Sequence, residues 1–243
     1  MEILKQRRTI RKYQQKDISS DLLNDLLDSA FRASTVGNMQ VYSVIVTRDA
    51  ERKARLAPAH FNQPMVKTAP VVLTFCIDVR RFTKWCEQRK ATPGYNNLEW
   101  FVTGSVDALL AAQTFCVAAE EKGLGICYLG TTTYNPQMII EALELPELVF
   151  PITTVTVGWP AEEPAQVDRL PLEAIVHEET YHDYTPEDID RLYAYKESLP
   201  ENKQFIFENN KETLAQVFTD VRYKKEDNEV MLSLIHIYEP TRL

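Results

Sequence analysis

The chain has 243 residues, a formal net charge of −8 and an apolar share of 44%, enough to bury a sizeable core in one large domain or two small ones. With a pI near 5.2 most of its surface repels polyanions. That argues against nucleic acid or an anionic membrane as partner and sends the search for anion sites to local basic clusters. Cys76, Cys86, Cys116 and Cys127 form no CxxC pair and sit mainly in apolar runs, the pattern of reduced, buried thiols in a cytoplasmic protein. The N-terminus lacks the apolar core of a signal peptide, and no apolar run is expected to approach the ~18 residues of a membrane span.

Residues 2–7 fit one or two helical turns and lead into Arg7-Arg8-Thr9-Ile10-Arg11-Lys12, the densest positive charge in the chain. By composition this stretch is either a solvated charge run or an anion site of guanidinium forks and a hydroxyl. Ser19 or Ser20 can cap a helix ending near residue 33, with Leu22, Leu23, Leu26, Leu27 and Ala30 as its apolar stripe. Residues 33–40, ASTVGNMQ, form a loop of small and amide side chains, and residues 42–47 alternate like a strand. Asp49 can cap a short helix to about residue 57, Gln63 lies in the following link, and residues 71–77 read as an interior strand.

An amphipathic helix is expected over residues 79–90, with Phe82, Trp85 and Cys86 on one side, broken by Thr92-Pro93-Gly94. The next helix starts near Asn96 or Asn97 and runs through Glu99, Trp100 and Phe101 into residues 106–119. The aromatics there suit either a core or the flank of a planar ligand. Asp107, Gln113 and Thr114 are the only polar interruptions of 106–119, so that helix is expected to be buried on every face, with its alanines allowing close approach. Gly123 supplies a left-handed C-cap, residues 124–129 a buried strand, and Gly130 to Thr133 a hydroxyl-rich loop where ligands are commonly held.

Asn135-Pro136 opens a helix to about residue 144, and residues 150–159 give another strand. A proline-rich loop then ends in Arg169-Leu170-Pro171. His177 and His182 are i,i+5, whereas two zinc ligands on one helical face need i,i+4, so no metal site is expected. Thr185 and Asp188 form a capping box for a helix to about residue 197, and residues 212–221 are a weaker helix. Residues 232–243, LSLIHIYEPTRL, resemble the translated read-through of a transposase adaptor used in sequencing libraries and read as a non-native tail, with the native ending lost after about Met231.

Seven glycines form neither GxGxxG nor a Walker loop, and GxSxG is absent, which weighs against a Rossmann dinucleotide site, a P-loop and an α/β-hydrolase. Four motifs remain in order: RRTIR at 7–11, ASTVGNMQ at 33–40, GLGICYLGT at 123–131, and GWP with RLP between 158 and 171. Together they resemble the FMN-dependent nitroreductases, most closely the NADPH-dependent, oxygen-insensitive nitroreductase and flavin reductase branch. The resemblance covers most of the chain to about Tyr184.

It implies an α+β fold with a central, mostly antiparallel sheet surrounded by helices, in an interlocked homodimer. It also implies a single FMN-binding domain over residues 1–231, with a C-terminal excursion from about residue 185. Arg7, Arg8, Thr9 and Arg11 would hold the FMN phosphate and ribityl chain, with Arg169 as a further phosphate partner; the lysine that relatives often carry two residues earlier is Val167 here. Ser34, Thr35, Val36 and Gln40 would line the ribityl and ring edge, Gln63 would reach a polar edge of the ring, and Tyr128, Leu129, Gly130 and Thr131 would pack along it. Gly37 would lie beside the exposed flavin face and Glu99 at the pocket mouth. The implied activity is ping-pong transfer from NADPH or NADH through FMN to nitroaromatics, quinones or free flavins, with no catalytic side chain because the cofactor does the redox work. Arg222, Lys224 and Lys225 are candidates for the 2′-phosphate of NADPH or a solvated charge face. A flavin-binding sensor or carrier without turnover is the alternative, and an interaction domain with no cofactor the third reading.

Overall fold

The structure, a computed structural model, describes residues 2–224, so the tail read as non-native lies outside the described residues. The chain divides into two compact units, with the boundary between Gln166 and Val167. The first unit is built on a four-stranded sheet of order β1-β2-β4-β3, from β1 (Tyr42–Thr47), β2 (Val71–Asp78), β3 (Gly125–Leu129) and β4 (Val149–Gly158). Every pairing in it is antiparallel. All eight residues of β2 are buried, as expected of a continuous β-branched run that is covered on both faces.

Helices flank the sheet. The first unit holds α1 (Glu2–Gln6), α2 (Ser20–Ala30), α3 (Ala50–Leu56), α4 (Pro64–Thr68), α5 (Arg80–Gln88), α6 (Leu98–Glu121) and α7 (Pro136–Leu143). Their starts follow from local capping: Ser19 Oγ accepts from Leu22 N, Asp49 from Arg52 N, and Asn97 Oδ1 from Trp100 N at the head of α6. Gly123, at φ 79°, turns the chain out of α6 into β3. The predicted strands and most predicted helices stand within a few residues of their expected bounds; α2 ends three residues early, at Ala30.

α6 packs Ala108, Ala111, Ala112, Phe115, Cys116 and Ala119 onto Leu73, Phe75, Ile126, Val155 and Val157, with Leu23 and Leu26 of α2 in the same core. Gly104 lets it close on β2, since a Cβ there would lie 2.4 Å from Ile77 Cγ2 and 3.3 Å from Val41 O. Two expectations about this helix are corrected. It is not buried all round: Val102, Val106, Leu109 and Leu110 are 54%, 46%, 44% and 43% exposed, forming an apolar stripe at i, i+4, i+7 and i+8 opposite the core face. It is also long and apolar enough, on length and composition alone, to cross a membrane, although no apolar run was expected to be. Its alanine-rich core face and its apolar outer face add together to give that hydropathy, while the inner face packs on the sheet.

The second unit carries α8 (Pro186–Ser198), α9 (Pro200–Glu208) and α10 (Leu214–Val217), the last followed by one wider π-type turn over Phe218–Arg222. The Thr185–Asp188 capping box is present as read from sequence. α9 was not anticipated: Pro200 directly after α8 reads as a stop, yet it also suits the first turn of a new helix. Arg222 lies over the Phe205 ring, 4.2 Å from its centroid.

Candidate cofactor site

The arginine segment is fastened to the open edge of β3. Ile10 N donates to Ile126 O at 2.9 Å, Gln14 N to Trp159 O at 2.9 Å and Ala161 N to Lys12 O at 2.9 Å. Gly125 makes this approach possible, because a Cβ there would lie 2.5 Å from Ile10. The buried Tyr13 hydroxyl locks the far end by donating to Ile10 O at 2.8 Å and sharing a 2.7 Å bond with Thr156 Oγ1; burial drives its pKa up, so it stays a neutral phenol.

The guanidinium groups then emerge in fixed positions. Arg7 Nε meets Glu120 Oε2 at 3.3 Å and Arg8 Nη1 meets Glu163 Oε1 at 3.0 Å, while Glu162 Oε1 accepts from the Arg11 and Lys12 amides at 2.7 and 3.0 Å. Burial raises the pKa of Glu120, and Arg7 opposes that shift. Arg7 and Arg8 line a cavity of about 450 Å³ together with Glu120, Glu162 and Glu163. A guanidinium has five N–H donors and each of these contacts uses one, so donors remain for an anion. The Glu163 side chain, 86% exposed, can leave Arg8 at little cost. This donor set fits a phosphate. Thr9 is half-buried and Arg11 exposed, and neither lines the cavity.

The loop at 34–40 is held from below by a carboxylate. Thr35 Oγ1 donates to Asp107 Oδ2 at 2.6 Å, Val36 N to Asp107 Oδ1 at 3.0 Å, and Gln40 N to Thr35 Oγ1 at 3.0 Å. The Thr35 hydroxyl is thus committed to the loop itself, whereas Ser34, Val36 and Gly37 are exposed. Gly37, Asn38 and Gln40 take φ of 55°, 53° and 47°, and two of these are not glycine, a local strain typical of binding loops. From the other side the Arg81 guanidinium donates to Gln40 O and Tyr42 O.

Gly37, Asn38, Met39, Arg81, Phe82 and Trp85 line a second cavity of about 610 Å³. Behind it Phe82, Tyr95 and Trp100 meet edge to face at 4.9 and 4.5 Å, which gives Trp100 the packing role among the two left open. Glu99 is exposed in the first turn of α6.

Just past the far end of β3 a buried histidine, His60, meets Thr131. Its Nδ1 lies 2.9 Å from Thr131 Oγ1, and its carbonyl accepts from Gln63 N at 3.1 Å. Leu129 is buried, Tyr128 is half-buried with its hydroxyl donating to Gln113 Oε1 at 3.4 Å, and Gly130 is exposed. One short strand therefore has Ile10 of the arginine segment bonded near its start and the His60–Thr131 contact just past its end. The two cavities share no lining residue, and Arg169 is exposed in the second unit with Nη1 on Asp168 O at 2.8 Å. Among the described residues no cluster of potential metal ligands occurs.

The model of the "Nitroreductase family" matches residues 4–159. The chain belongs to the nitroreductase family. A relative from Bacillus subtilis (strain 168), an FMN reductase [NAD(P)H], is 37% identical over 213 residues, covering 85% of this chain and 83% of the relative. A crystal structure from Bacteroides fragilis NCTC 9343, of a protein described as an oxidoreductase, is 74% identical with a TM-score of 0.95, covering 97% of this chain and 96% of that one. The NfrA1 nitroreductase of B. subtilis superposes with a TM-score of 0.86 at 28% identity, covering 98% and 97% of the two chains. This nitroreductase-family chain thus has the α+β, antiparallel-sheet fold expected from its motifs.

Sequence reasoning overlooked Asp107, Arg81 and His60 as supports of the expected site. Asp107 had a signal, as one of three polar residues in an otherwise apolar helix segment. His60 and Arg81 had none, because their partners lie 71 and 39–41 residues away.

Proposed function

We propose that this chain reduces small planar acceptors, nitroaromatics, quinones or free flavins, by ping-pong exchange in a homodimer. It is an FMN-dependent NAD(P)H oxidoreductase of its family. When bound, FMN supplies the redox chemistry, taking hydride from the nicotinamide donor and giving electrons to the acceptor that replaces it. The observation that carries the reading is the Arg7–Arg8 cavity on the edge of β3, whose donors suit a phosphate in an otherwise acidic protein.

The chain's own residues bind and orient. Arg7, Arg8, Thr9 and Arg11 hold the phosphate end. The 34–40 loop, kept rigid by Asp107 and Arg81, lines the ribityl chain and leaves Gly37 open toward the acceptor. Gln63, Tyr128, Leu129, Gly130 and Thr131 border the ring, and Glu99 stands at the mouth. Of these residues Arg7 and Arg8 line one cavity and Gly37 the other, which supports a site completed by a second copy, and the exposed stripe of Val102, Val106, Leu109 and Leu110 supplies an apolar face for that copy. Reduced, buried cysteines support a cytoplasmic setting.

The test is the visible spectrum of the purified chain with FMN, followed anaerobically by NADPH, then NADH, then a nitroaromatic or quinone. Bound-flavin absorbance that bleaches with nucleotide and returns with acceptor is expected, and the more effective nucleotide names the donor. Binding without bleaching would favour the sensor reading. As a companion, Arg8→Ala weakens FMN binding by about 1.5–3 kcal/mol through loss of a charged hydrogen bond. Unchanged affinity in a fluorescence titration would remove Arg8 from the clamp.

A further inference from the structure

His60 is completely buried, at 0% exposure, between the segment that ends in Gln63 and the loop that begins at Gly130. The backbone winds tightly to put it there. Phe61 and Asn62 both take left-handed φ, 52° and 55°, so that Asn62 N reaches Ala57 O at 2.8 Å and Gln63 N reaches His60 O at 3.1 Å. The facing loop is stitched on by Asn135 Nδ2, which donates to Ala59 O at 3.2 Å, and by the imidazole, whose Nδ1 lies 2.9 Å from Thr131 Oγ1. His60 thus bonds one side chain expected at the flavin ring, Thr131, and through its carbonyl the backbone of a second such residue, Gln63.

The other ring nitrogen decides the direction of that bond. His60 Nε2 is buried and has no hydrogen-bond partner among the described residues. Burial lowers the pKa of His60 to about 4, so the ring is neutral and carries a single N–H. If the proton sat on Nε2, it would be an orphaned buried donor, among the rarest groups in native proteins. On Nδ1 the same proton has Thr131 Oγ1 within reach, and Nε2 keeps only a lone pair. Among the described residues the geometry favours the tautomer whose proton the first nitrogen can place in a bond.

We infer that His60 is a positioning residue that donates Nδ1–H to Thr131 Oγ1 and so frees the Thr131 hydroxyl proton to be donated to the cofactor. A threonine hydroxyl has one proton and two lone pairs. With one lone pair filled by His60, its proton points away from the imidazole. Thr131 becomes a directed donor, suited to a flavin-ring oxygen or nitrogen on which negative charge accumulates during reduction. The inference rests on the proposed FMN site and assigns a hydrogen-bond polarity to one of its members.

The experiment uses the full chain with FMN. Long-range proton–nitrogen correlation of the histidine rings, with His60 assigned by its loss in His60→Leu, is expected to show a protonated Nδ1 and a bare Nε2. Flavin fluorescence titration is expected to give about tenfold weaker FMN binding for Thr131→Val and for His60→Leu, from loss of one oriented hydrogen bond. Both are expected to shift the bound-flavin absorption in the same direction. The double variant is no worse than Thr131→Val, and His60→Asn, whose amide N–H stands close to the Nδ1 position, recovers most of the loss.

A proton on Nε2 overturns the inference, as does a His60→Leu protein that binds FMN normally with an unshifted spectrum. Should His60→Leu fail to fold, the ring nitrogens of the unaltered chain and the Thr131→Val titration still decide. If Thr131→Val binds FMN normally while Arg8→Ala does not, this inference falls and the proposed function stands. A chain that binds no FMN brings down both.

Discussion

Asp107 stands in α6 at 1% exposure and gives both carboxylate oxygens to the 34–40 loop. Its replacement by alanine would strand the Val36 amide and the Thr35 hydroxyl, each an unpaired polar group of about 1–3 kcal/mol if it stays buried. Asp107→Ala is therefore expected to lower stability in urea by about 2–3 kcal/mol and to weaken FMN binding as the left-handed turn at Gly37–Asn38 relaxes; a variant that keeps both values would deny the carboxylate its anchoring role. His60 gives the molecule an acid-sensitive point of the opposite kind. Its folded pKa of about 4 lies below the unfolded value of about 6.5, so the unfolded chain takes up a proton that the folded chain refuses. The stability this buried neutral ring contributes is complete above about pH 6.5 and falls by up to about 1.4 kcal/mol per pH unit between about 6.5 and 4. Denaturant midpoints at pH 7 and pH 5 should thus separate more in the unaltered chain than in His60→Asn, and equal separations would refute the assignment.

At the scale of elements, what the sequence made legible is what is encoded locally. β1 has the expected limits, Asn97 and Thr185 cap as read, and Gly123 turns as its position required, because each depends on neighbours a few residues away. α6 marks the limit of that reading. Its composition is apolar around most of the cylinder, but composition does not say which face meets the sheet, and the stripe from Val102 to Leu110 remains on the surface of the single chain. For the same reason the arginine segment reads from composition as solvated charge or anion site, and nothing local announces its backbone bonds to Ile126 and Trp159. If the stripe covers its equivalent in a second copy, Val106→Glu with Leu110→Lys should convert the protein to a monomer in analytical ultracentrifugation, with FMN affinity falling alongside. A variant that sediments as the parent does would move the interface elsewhere.

Across the whole molecule, charge is unevenly distributed. A net charge of −8 surrounds a short basic segment whose guanidinium groups are already partly balanced by Glu120 and Glu163. A dianion taking both arginines would use their remaining donors beside Glu120 and the exposed Glu163, so added salt and phosphate are expected to weaken FMN binding at this cavity. The four cysteines have a separate consequence. All are free and buried, and burial pushes the thiols of Cys76 and Cys116 up to about 12. In the closed fold an alkylating reagent reaches none of these buried sulfurs, so the rate of modification measures how often the fold opens rather than how reactive the sulfur is. Because the four lie on β2, α5, α6 and β3, mass spectrometry after a short pulse of iodoacetamide would read out four local clocks within one unit. The order in which Cys76, Cys86, Cys116 and Cys127 become labelled is the order in which those elements come apart.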